Sequence, residues 1–484
     1  MVFSSNIFVY LFLPVYLLLY FAADFLSRRV LASRFQLKQN LNNLVLFLLS
    51  LFFYYWSSGK FILVFLLSIL VNTALGWGIG VSVKKKCLVS LGVVFNLSVL
   101  IYFKYYNFFY DQAAAISLHL FGSPMTPHAA IFLPIGISFY TFMAISYLVE
   151  VYQGRVRYAS LLNFGAYLTL FPHLVAGPIV RYSELEAELD HRQVTMEMFF
   201  EGVWRFSLGM GKKVILANNL GVVADKVFAL PASELTTALA WVGIASYTLQ
   251  IYYDFSGYSD MAIGLARFFG FHFPENFNQP YLSKSITEFW RRWHITLSRW
   301  FRDYVYIALG GNRRSPLHTY INLFIVFLLC GLWHGAAWNF MIWGMFHGII
   351  LVVERILKTR FDIVSKGILG NGLTLFLVMV GWVFFRSPSF EQALSYLSAM
   401  FGATHLSGFQ YFHIFYYLNF GMMSFLVMGT VIALFPYEFL RKILTGINLY
   451  QFTFAKGIIS LLVLFVSLLT MAKMQFSPFI YFQF

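Results

Sequence analysis

The chain has 484 residues, of which 60% are hydrophobic and only 11% are charged. An ordinary soluble domain carries roughly 25% charged residues, so this composition, with a mean hydropathy of +0.71, predicts a membrane protein instead. The net charge of +14 raises the question of nucleic-acid binding. However, the basic residues form short clusters between apolar runs, which is the pattern of cytoplasmic loops, and we predict no nucleic-acid partner.

The apolar runs predict about eleven or twelve membrane-spanning helices, because about 20 apolar residues cross ~30 Å of hydrocarbon. The clearest predicted spans are 7–26, 41–57, 61–81, 88–109, 131–151, 236–256, 317–333, 337–353, 368–385, 414–434 and 455–473. Residues 111–130 are predicted to form an outer loop. Basic residues follow the first run, which places the N-terminus outside. We predict a single integral-membrane domain over residues 1–484.

Between residues 152 and 235 the apolar pattern breaks into short pieces, as in LFPHLVAGPIVRY (170–182). Such pieces predict interfacial or re-entrant helices, which a bilayer accepts only where protein or a water-filled cavity covers their backbone. Asp254 and Asp260 lie near the end of the next apolar run. We expect these two carboxylates to pair with the arginines of 291–302.

The segment 289–314, FWRRWHITLSRWFRDYVYIALGGNRR, gathers six arginines, three tryptophans and one histidine. On a single helix over 288–305, most aromatic side chains fall within an arc of roughly 100° and most arginines fall opposite. This predicts an amphipathic interfacial helix. Two functions stay open for the arginines, a membrane-surface anchor and a phosphate site, because guanidinium groups bind phosphate bidentately.

Residues 317–353 contain no Lys, Arg, Asp or Glu. At ~1.5 Å per residue this stretch is too long for one crossing, so it predicts two helices with a break near GLWHGAAW (331–338). An ionisable residue inside apolar spans is a functional candidate. Two roles stay open for His334 at this point, exchange of a proton and a structural hydrogen bond to a neighbouring backbone carbonyl. His347, thirteen residues further on, is predicted to be structural. The two cysteines are far apart in the sequence and predict no metal site.

Four stretches carry a family likeness: YDFSGYSDMAIGLARFFGFHFPENFNQPYL, EFWRRWHITLSRWFRDYVYIALGGNR, GLWHGAAWNFMIWGMFHG and FPHLVAGPIVR. Through them the chain resembles the membrane-bound O-acyltransferase (MBOAT) family over its whole length. The most similar branch is that of the bacterial alginate O-acetyltransferase membrane subunits. The resemblance implies an all-α ring of tilted spans around a thin centre, with an outer funnel and a narrow passage from the cytoplasm.

By this resemblance, His334 in GLWHG matches the near-universal histidine of the family, and His294 in FWRRWH matches a second, more variable polar position. We expect His334 to act as general base and His294 to hold or polarise a thioester carbonyl. The residues expected to bind the donor are Arg291, Arg292, Asn312, Arg313, Trp290 and Trp293. The residues expected to line the passage are Trp333, Trp338, Asn339, Asp254 and Tyr258.

The resemblance implies a membrane O-acetyltransferase of the bacterial inner (cytoplasmic) membrane. Its donor would be acetyl-CoA or another acyl thioester, with no tightly bound cofactor and no metal. The acetyl group would pass outward to a polysaccharide, alginate, through periplasmic acetyltransferase subunits; an acyl carrier protein and membrane lipids are further expected partners. The alternatives are O-acetylation of peptidoglycan or cellulose, D-alanyl transfer to teichoic acid and, in a different class, a polysaccharide transporter or flippase.

Overall fold

The computed structural model of the chain describes residues 2–30, 34–361, 367–403, 414–436 and 449–473. In these ranges every regular element is a helix. Seven helical segments of the described part are long and apolar enough to cross a membrane, and two further apolar helices, Ile137–Tyr152 and Phe420–Leu434, are shorter. These features confirm the predicted all-α, multi-pass membrane architecture.

The chain divides into two compact units, one of Met1–Gly202 with Ala262–Pro274 and one of Val203–Met261 with Glu275–Phe484. The helices of the first unit are α1 (Leu13–Val30), α2 (Phe35–Ser58), α3 (Ile62–Val81), α4 (Lys85–Phe121), α5 (Ile137–Tyr152), α6 (Leu161–Thr169), α7 (Phe171–Leu174) and α8 (Tyr182–Asp190). Residues 164–182, which include α7 and most of α6, are all buried. The short pieces predicted between residues 152 and 235 are therefore covered by protein at this point.

The prediction of an outer loop over 111–130 is wrong in its first half, because α4 continues to Phe121. The segment AAAISLHLF consists largely of residues with good helix propensity, so nothing in it ends the helix. The helix ends where Gly122 adopts a left-handed conformation with φ 63° and donates its N–H to the carbonyl of Leu118.

The second unit begins within α9 (Met196–Met210), which continues through a π-helical turn, Gly211–Ala217, into α10 (Asn218–Phe228). The next helix, α11 (Thr237–Phe268), carries both acidic residues that the sequence singled out. The remaining helices are α12 (Ile286–Arg292), α13 (Ile295–Phe301), α14 (Pro316–His334), α15 (Trp338–Phe361), α16 (Gly367–Arg386), α17 (Phe390–Met400), α18 (Ile414–Tyr417), α19 (Phe420–Leu434) and α20 (Leu449–Lys473).

The predicted pairing of Asp254 and Asp260 with the arginines of 291–302 is wrong. Asp254 forms a buried ion pair with Lys213 at 2.5 Å, and Asp260 pairs with Lys212 at 2.6 Å. Asp260 also pairs with Arg205 at 2.7 Å. The physical reason is that the π-helical turn presents two consecutive lysines to α11, so the carboxylates are neutralised by the helix beside them.

Candidate active site

The segment predicted to form one amphipathic helix over 288–305 forms two short helices, α12 and α13, with a break between them at Trp293 and His294. At the break, backbone groups pair with the segment 276–278 instead of continuing the helix. Asn278 N–H donates to the carbonyl of Arg292 at 2.9 Å, and Ile295 N–H donates to the carbonyl of Asn276 at 2.9 Å. The aromatic side chains of Trp290, Trp293 and Trp300 are buried in protein.

The break buries His294 completely and fixes the orientation of its ring. Asn276 Oδ1 accepts hydrogen bonds from the N–H of Thr296 at 3.3 Å and from its hydroxyl at 2.9 Å, while Asn276 Nδ2 donates to Ser259 Oγ at 3.1 Å. The same Oδ1 lies 3.1 Å from His294 Nδ1, which must therefore be the protonated nitrogen. His294 Nε2 then carries the lone pair. Phe255 packs edge-on against the ring, with 4.6 Å between centroids.

His334 is the last residue of α14 and lies at the head of an antiparallel hairpin with α15, as the charge-free stretch 317–353 predicts. Two glycines let the two backbones touch. A Cβ on Gly331 would collide with the carbonyl oxygen of Phe340, and one on Gly344 would collide with that of Phe327. The hairpin thus places His334 within a closely packed helix pair, where it is only 6% exposed.

Aromatic rings surround His334 and separate it from His294. Trp333 and Trp343 each lie 5.0 Å from the His334 ring, and Phe385 lies 5.2 Å from it. The ring of Trp333 also lies 6.2 Å from that of His294. The two histidines therefore contact one indole in a buried aromatic environment, which strengthens any electrostatic interaction made there.

A cavity of about 830 Å³ opens among α12, α13, α14 and α15. Its lining on α14 runs from Leu323 to Cys330, and Cys330 lies four residues, or one helical turn, before His334. On α15 the lining runs in the opposite sense, from Lys358 at the mouth to Leu351 inside. The cavity is thus an apolar slot that leads towards His334.

The mouth of the cavity is basic. Its cationic lining residues are Arg291, Arg299, Arg302, Arg355 and Lys358.

The two carboxylates of the lining are already engaged. Glu288 pairs with Arg292 at 2.8 Å, and Glu354 accepts the N–H groups of Ile286 and Thr287 at the start of α12, both at 2.9 Å. Within the described ranges, Arg291, Arg355 and Lys358 form no ion pair, so their charge is available to an anion.

Of the six residues expected to bind a donor, the structure brings two, Trp290 and Arg291, to the cavity. Arg292 instead bonds Glu288 and the carbonyl of Asn278. Trp293 is buried against Phe289 and Trp382, and the exposed Asn312 and Arg313 lie outside the lining.

None of the five residues expected to line a passage belongs to the cavity lining. Trp333 contacts both histidines, and Asp254 is engaged by Lys213. Asn339 donates to the backbone carbonyl of Ser387, Trp338 is 51% exposed, and Tyr258 is fully buried. Their contribution to a passage stays a prediction.

Sequence reasoning did not identify Asn276, Arg355 and Lys358 as site residues. Asn276 lies 18 residues before His294, in an irregular segment with no motif of its own. Arg355 and Lys358 belong to a basic cluster at the end of a predicted span, and that cluster alone indicates only a cytoplasmic loop. Their spacing of three residues was a usable signal, because residues i and i+3 lie on one helix face.

Comparison with known proteins shows the family of the chain. The family model described as MBOAT, membrane-bound O-acyltransferase family, matches residues 48–391. A probable alginate O-acetylase (AlgI) of Azotobacter vinelandii is 47% identical over 408 residues, which cover 83% of this chain and 78% of that protein. The peptidoglycan O-acetyltransferase of Helicobacter pylori is 35% identical over 452 residues, which cover 84% and 81% of the two chains.

A more distant relative is the teichoic acid D-alanyltransferase of Bacillus subtilis, which is 30% identical over 260 residues, or 51% of this chain and 65% of that protein. The family match extends over more than half of the chain and includes both histidines, Asn276 and the whole cavity lining. The chain belongs to the membrane-bound O-acyltransferase family.

Proposed function

We propose that the protein is a membrane O-acetyltransferase that takes an acetyl group from a coenzyme A thioester and transfers it to a hydroxyl group on the other side of the membrane. One observation carries the proposal. An apolar cavity reaches within one helical turn of a buried histidine, its mouth carries Arg291, Arg355 and Lys358, which form no ion pair within the described ranges, and a second buried histidine contacts the adjacent indole.

The cavity matches the chemistry of such a donor from mouth to floor. A diphosphate would lie among Arg291, Arg355 and Lys358, where guanidinium groups bind phosphate oxygens bidentately. The uncharged arm of the coenzyme would follow the apolar face of α14 towards Cys330. The thioester would then approach His334 from the mouth side of the hairpin.

His334 would act as general base. Its imidazole takes the proton of the acceptor hydroxyl while the oxygen attacks the acyl carbon, so that a C–O bond forms and the C–S bond breaks. The proton then passes from His334 to the leaving thiolate, which departs as a thiol. A thioester is activated, so positioning and one proton acceptor are enough for this transfer. The surrounding rings would exclude water and suppress hydrolysis.

The geometry of His294 modifies the role expected from the sequence. Polarising a carbonyl needs an N–H at Nε2, but Asn276 holds the proton on Nδ1. We therefore propose that His294 Nε2 accepts a hydrogen bond from an amide N–H of the donor arm. This contact would fix the thioester beside Trp333 and His334 without adding charge to the site.

The name of one relative supports the choice of acceptor, and the partners and location are further parts of the proposal. A close relative is named a probable alginate O-acetylase, so we propose alginate as the polymer, reached through periplasmic acetyltransferase subunits. We place the protein in the bacterial inner membrane with its N-terminus outside. The basic mouth of the cavity then faces the cytoplasm, where basic residues are concentrated and coenzyme A thioesters are made.

The test is acetyl transfer by protein purified into lipid vesicles, with labelled acetyl-CoA and an alginate oligosaccharide acceptor in the presence of the periplasmic subunits. His334→Ala should lower kcat about 10²- to 10⁴-fold, the usual contribution of a general base. The matched control is His318→Ala, because His318 is an exposed histidine on the same helix whose Nδ1 lies 2.9 Å from Ser315 Oγ. Transfer within threefold of wild type in a folded His334→Ala protein would refute the assignment.

A further inference from the structure

One part of the cavity wall is an indole that packs against the surroundings of His334. Trp290 lines the cavity, and its ring lies 5.0 Å from that of Phe327 on α14. Behind it stands Trp343, at 5.6 Å, whose ring in turn contacts His334 at 5.0 Å. Trp290 therefore stands between the apolar slot and Trp343, and an acyl group in the slot would pack against it.

His347 holds this indole. Trp290 Nε1–H donates a long hydrogen bond of 3.4 Å to His347 Nδ1, and the two rings meet edge to face with 5.2 Å between centroids. His347 is 1% exposed, and its ring packs closely against Gly381 on the side away from Trp290. A Cβ added to Gly381 of α16 would lie only 2.8 Å from His347 Nε2. The sequence predicts a structural histidine at this position. The contacts of His347 show that the side chain it supports is Trp290.

We propose that Trp290 is a size stop that restricts the transferred acyl group to about two carbons, and that His347 is the positioning residue that keeps the stop in place. This inference rests on the proposed donor cavity and adds the determinant of acyl length. A longer acyl chain would have to displace an indole that is packed on Phe327, Trp343 and His347. Close-packed interiors resist the insertion of even one methylene group.

The experiment compares kcat/KM for acetyl-, propionyl- and butyryl-CoA in wild type and in Trp290→Leu. Wild type should prefer acetyl- to butyryl-CoA by roughly 100-fold or more, because pockets discriminate about 10- to 200-fold per methylene. Trp290→Leu should raise the butyryl-to-acetyl ratio at least tenfold. His347→Leu should shift the ratio in the same direction, since it frees the indole. His347→Asn, whose amide oxygen can accept the indole N–H, should restore most of the selectivity.

The matched control is Trp241→Leu, which removes a half-buried indole of α11 that donates to the carbonyl of Met400 at 2.9 Å, away from the cavity. The butyryl-to-acetyl ratio of kcat/KM in Trp241→Leu should equal that of wild type. Trp290→Phe, a smaller change, covers the case in which the leucine variant does not fold. An unchanged ratio in either folded Trp290 variant would overturn the size stop and leave the proposed function intact. Folded Trp290 variants with no measurable transfer of any of the three acyl groups would also overturn it, because a size stop predicts measurable butyryl transfer once the indole is made smaller.

Failure of the wild-type protein to transfer any acyl group from any of the three thioesters would count against the proposed function itself. A ratio that moves with Trp290 but not with His347 would reject the positioning role of the histidine. These outcomes are distinct, so the size stop and the donor cavity are tested separately.

Discussion

At the scale of single residues, the backbone of His294 is held in an unusual conformation. Its φ and ψ are 42° and 55°, in the left-handed region that a β-carbon disfavours. Such a residue costs about 1–3 kcal/mol and persists where surrounding contacts over-determine it. Here the carbonyl and side chain of Asn276 supply those contacts. The conformation turns the imidazole inward, towards Trp333.

The burial of His294 has a consequence for the pH dependence of the reaction. Burial lowers the pKa of this imidazole to about 3, so the ring is neutral throughout the range from pH 5 to 9. Protonation of His294 then contributes nothing to the acid limb of activity. His294→Asn should lower kcat/KM but leave the acid limb at the same pH. The measurement is kcat/KM for acetyl-CoA over that range, and an acid limb displaced by more than about half a pH unit would contradict it.

Arg291 allows a direct test of the basic mouth. It lines the cavity without an ion-pair partner in the described part of the chain, so it is free to bind a phosphate. Arg291→Gln should raise the KM for acetyl-CoA about 3- to 10-fold with little change in kcat, as expected for the loss of one charge-assisted hydrogen bond. Lys226→Gln makes the same charge change at an exposed position of α10 outside the lining and should have no effect. Equal KM values for the two variants would exclude Arg291 from donor binding.

At the scale of elements, the α14–α15 hairpin depends on glycine at the contact. Gly331→Ala would force the Cβ into the carbonyl oxygen of Phe340, so the helices must separate and His334 must move. Overpacking of this kind costs roughly 1–3 kcal/mol. We expect Gly331→Ala to have a lower thermal stability in detergent. Its acetyl-transfer activity should fall by a larger fraction than the amount of folded protein that is recovered. Gly372→Ala is the matched control, because its Cβ meets nothing within 4 Å and alanine favours the helix. Equal thermal stability and equal acetyl transfer in the two variants would show that the close contact between Gly331 and Phe340 is not required.

The elements also show where sequence reasoning succeeds. The hairpin was predictable because a stretch without charge between Leu317 and Val353 leaves only one solution, two crossings with a break near His334. The broken helix at Trp293 was not predictable from its own residues, which fit an amphipathic helix well. The break exists because the segment 276–278 offers backbone partners, and this pairing is visible only after folding.

At the scale of the whole molecule, the cavity needs four consecutive helices, α12 to α15. Trp290 and Arg291 were identified from their own segment, since arginine and tryptophan side by side already suggest a phosphate site next to an apolar one. Arg355 and Lys358 join them only because α15 returns antiparallel to α14. In the same way, the sequence suggests the arginines of 291–302 as partners for Asp254, whereas helix packing brings Lys213 to it.

The central claim is that the acetyl group enters at the basic mouth and leaves on the opposite side of the membrane. The most direct measurement uses vesicles in which orientation is scored by an impermeant maleimide on exposed Cys87, which follows Lys84-Lys85-Lys86 in the sequence. Labelled acetyl-CoA is supplied on one side, with acceptor and periplasmic subunits on the other. We expect acetylated product only when acetyl-CoA faces the Cys87 side, and product formed about 10²- to 10⁴-fold more slowly with His334→Ala. Equal transfer from either side, or product that appears only on the donor side, would contradict it.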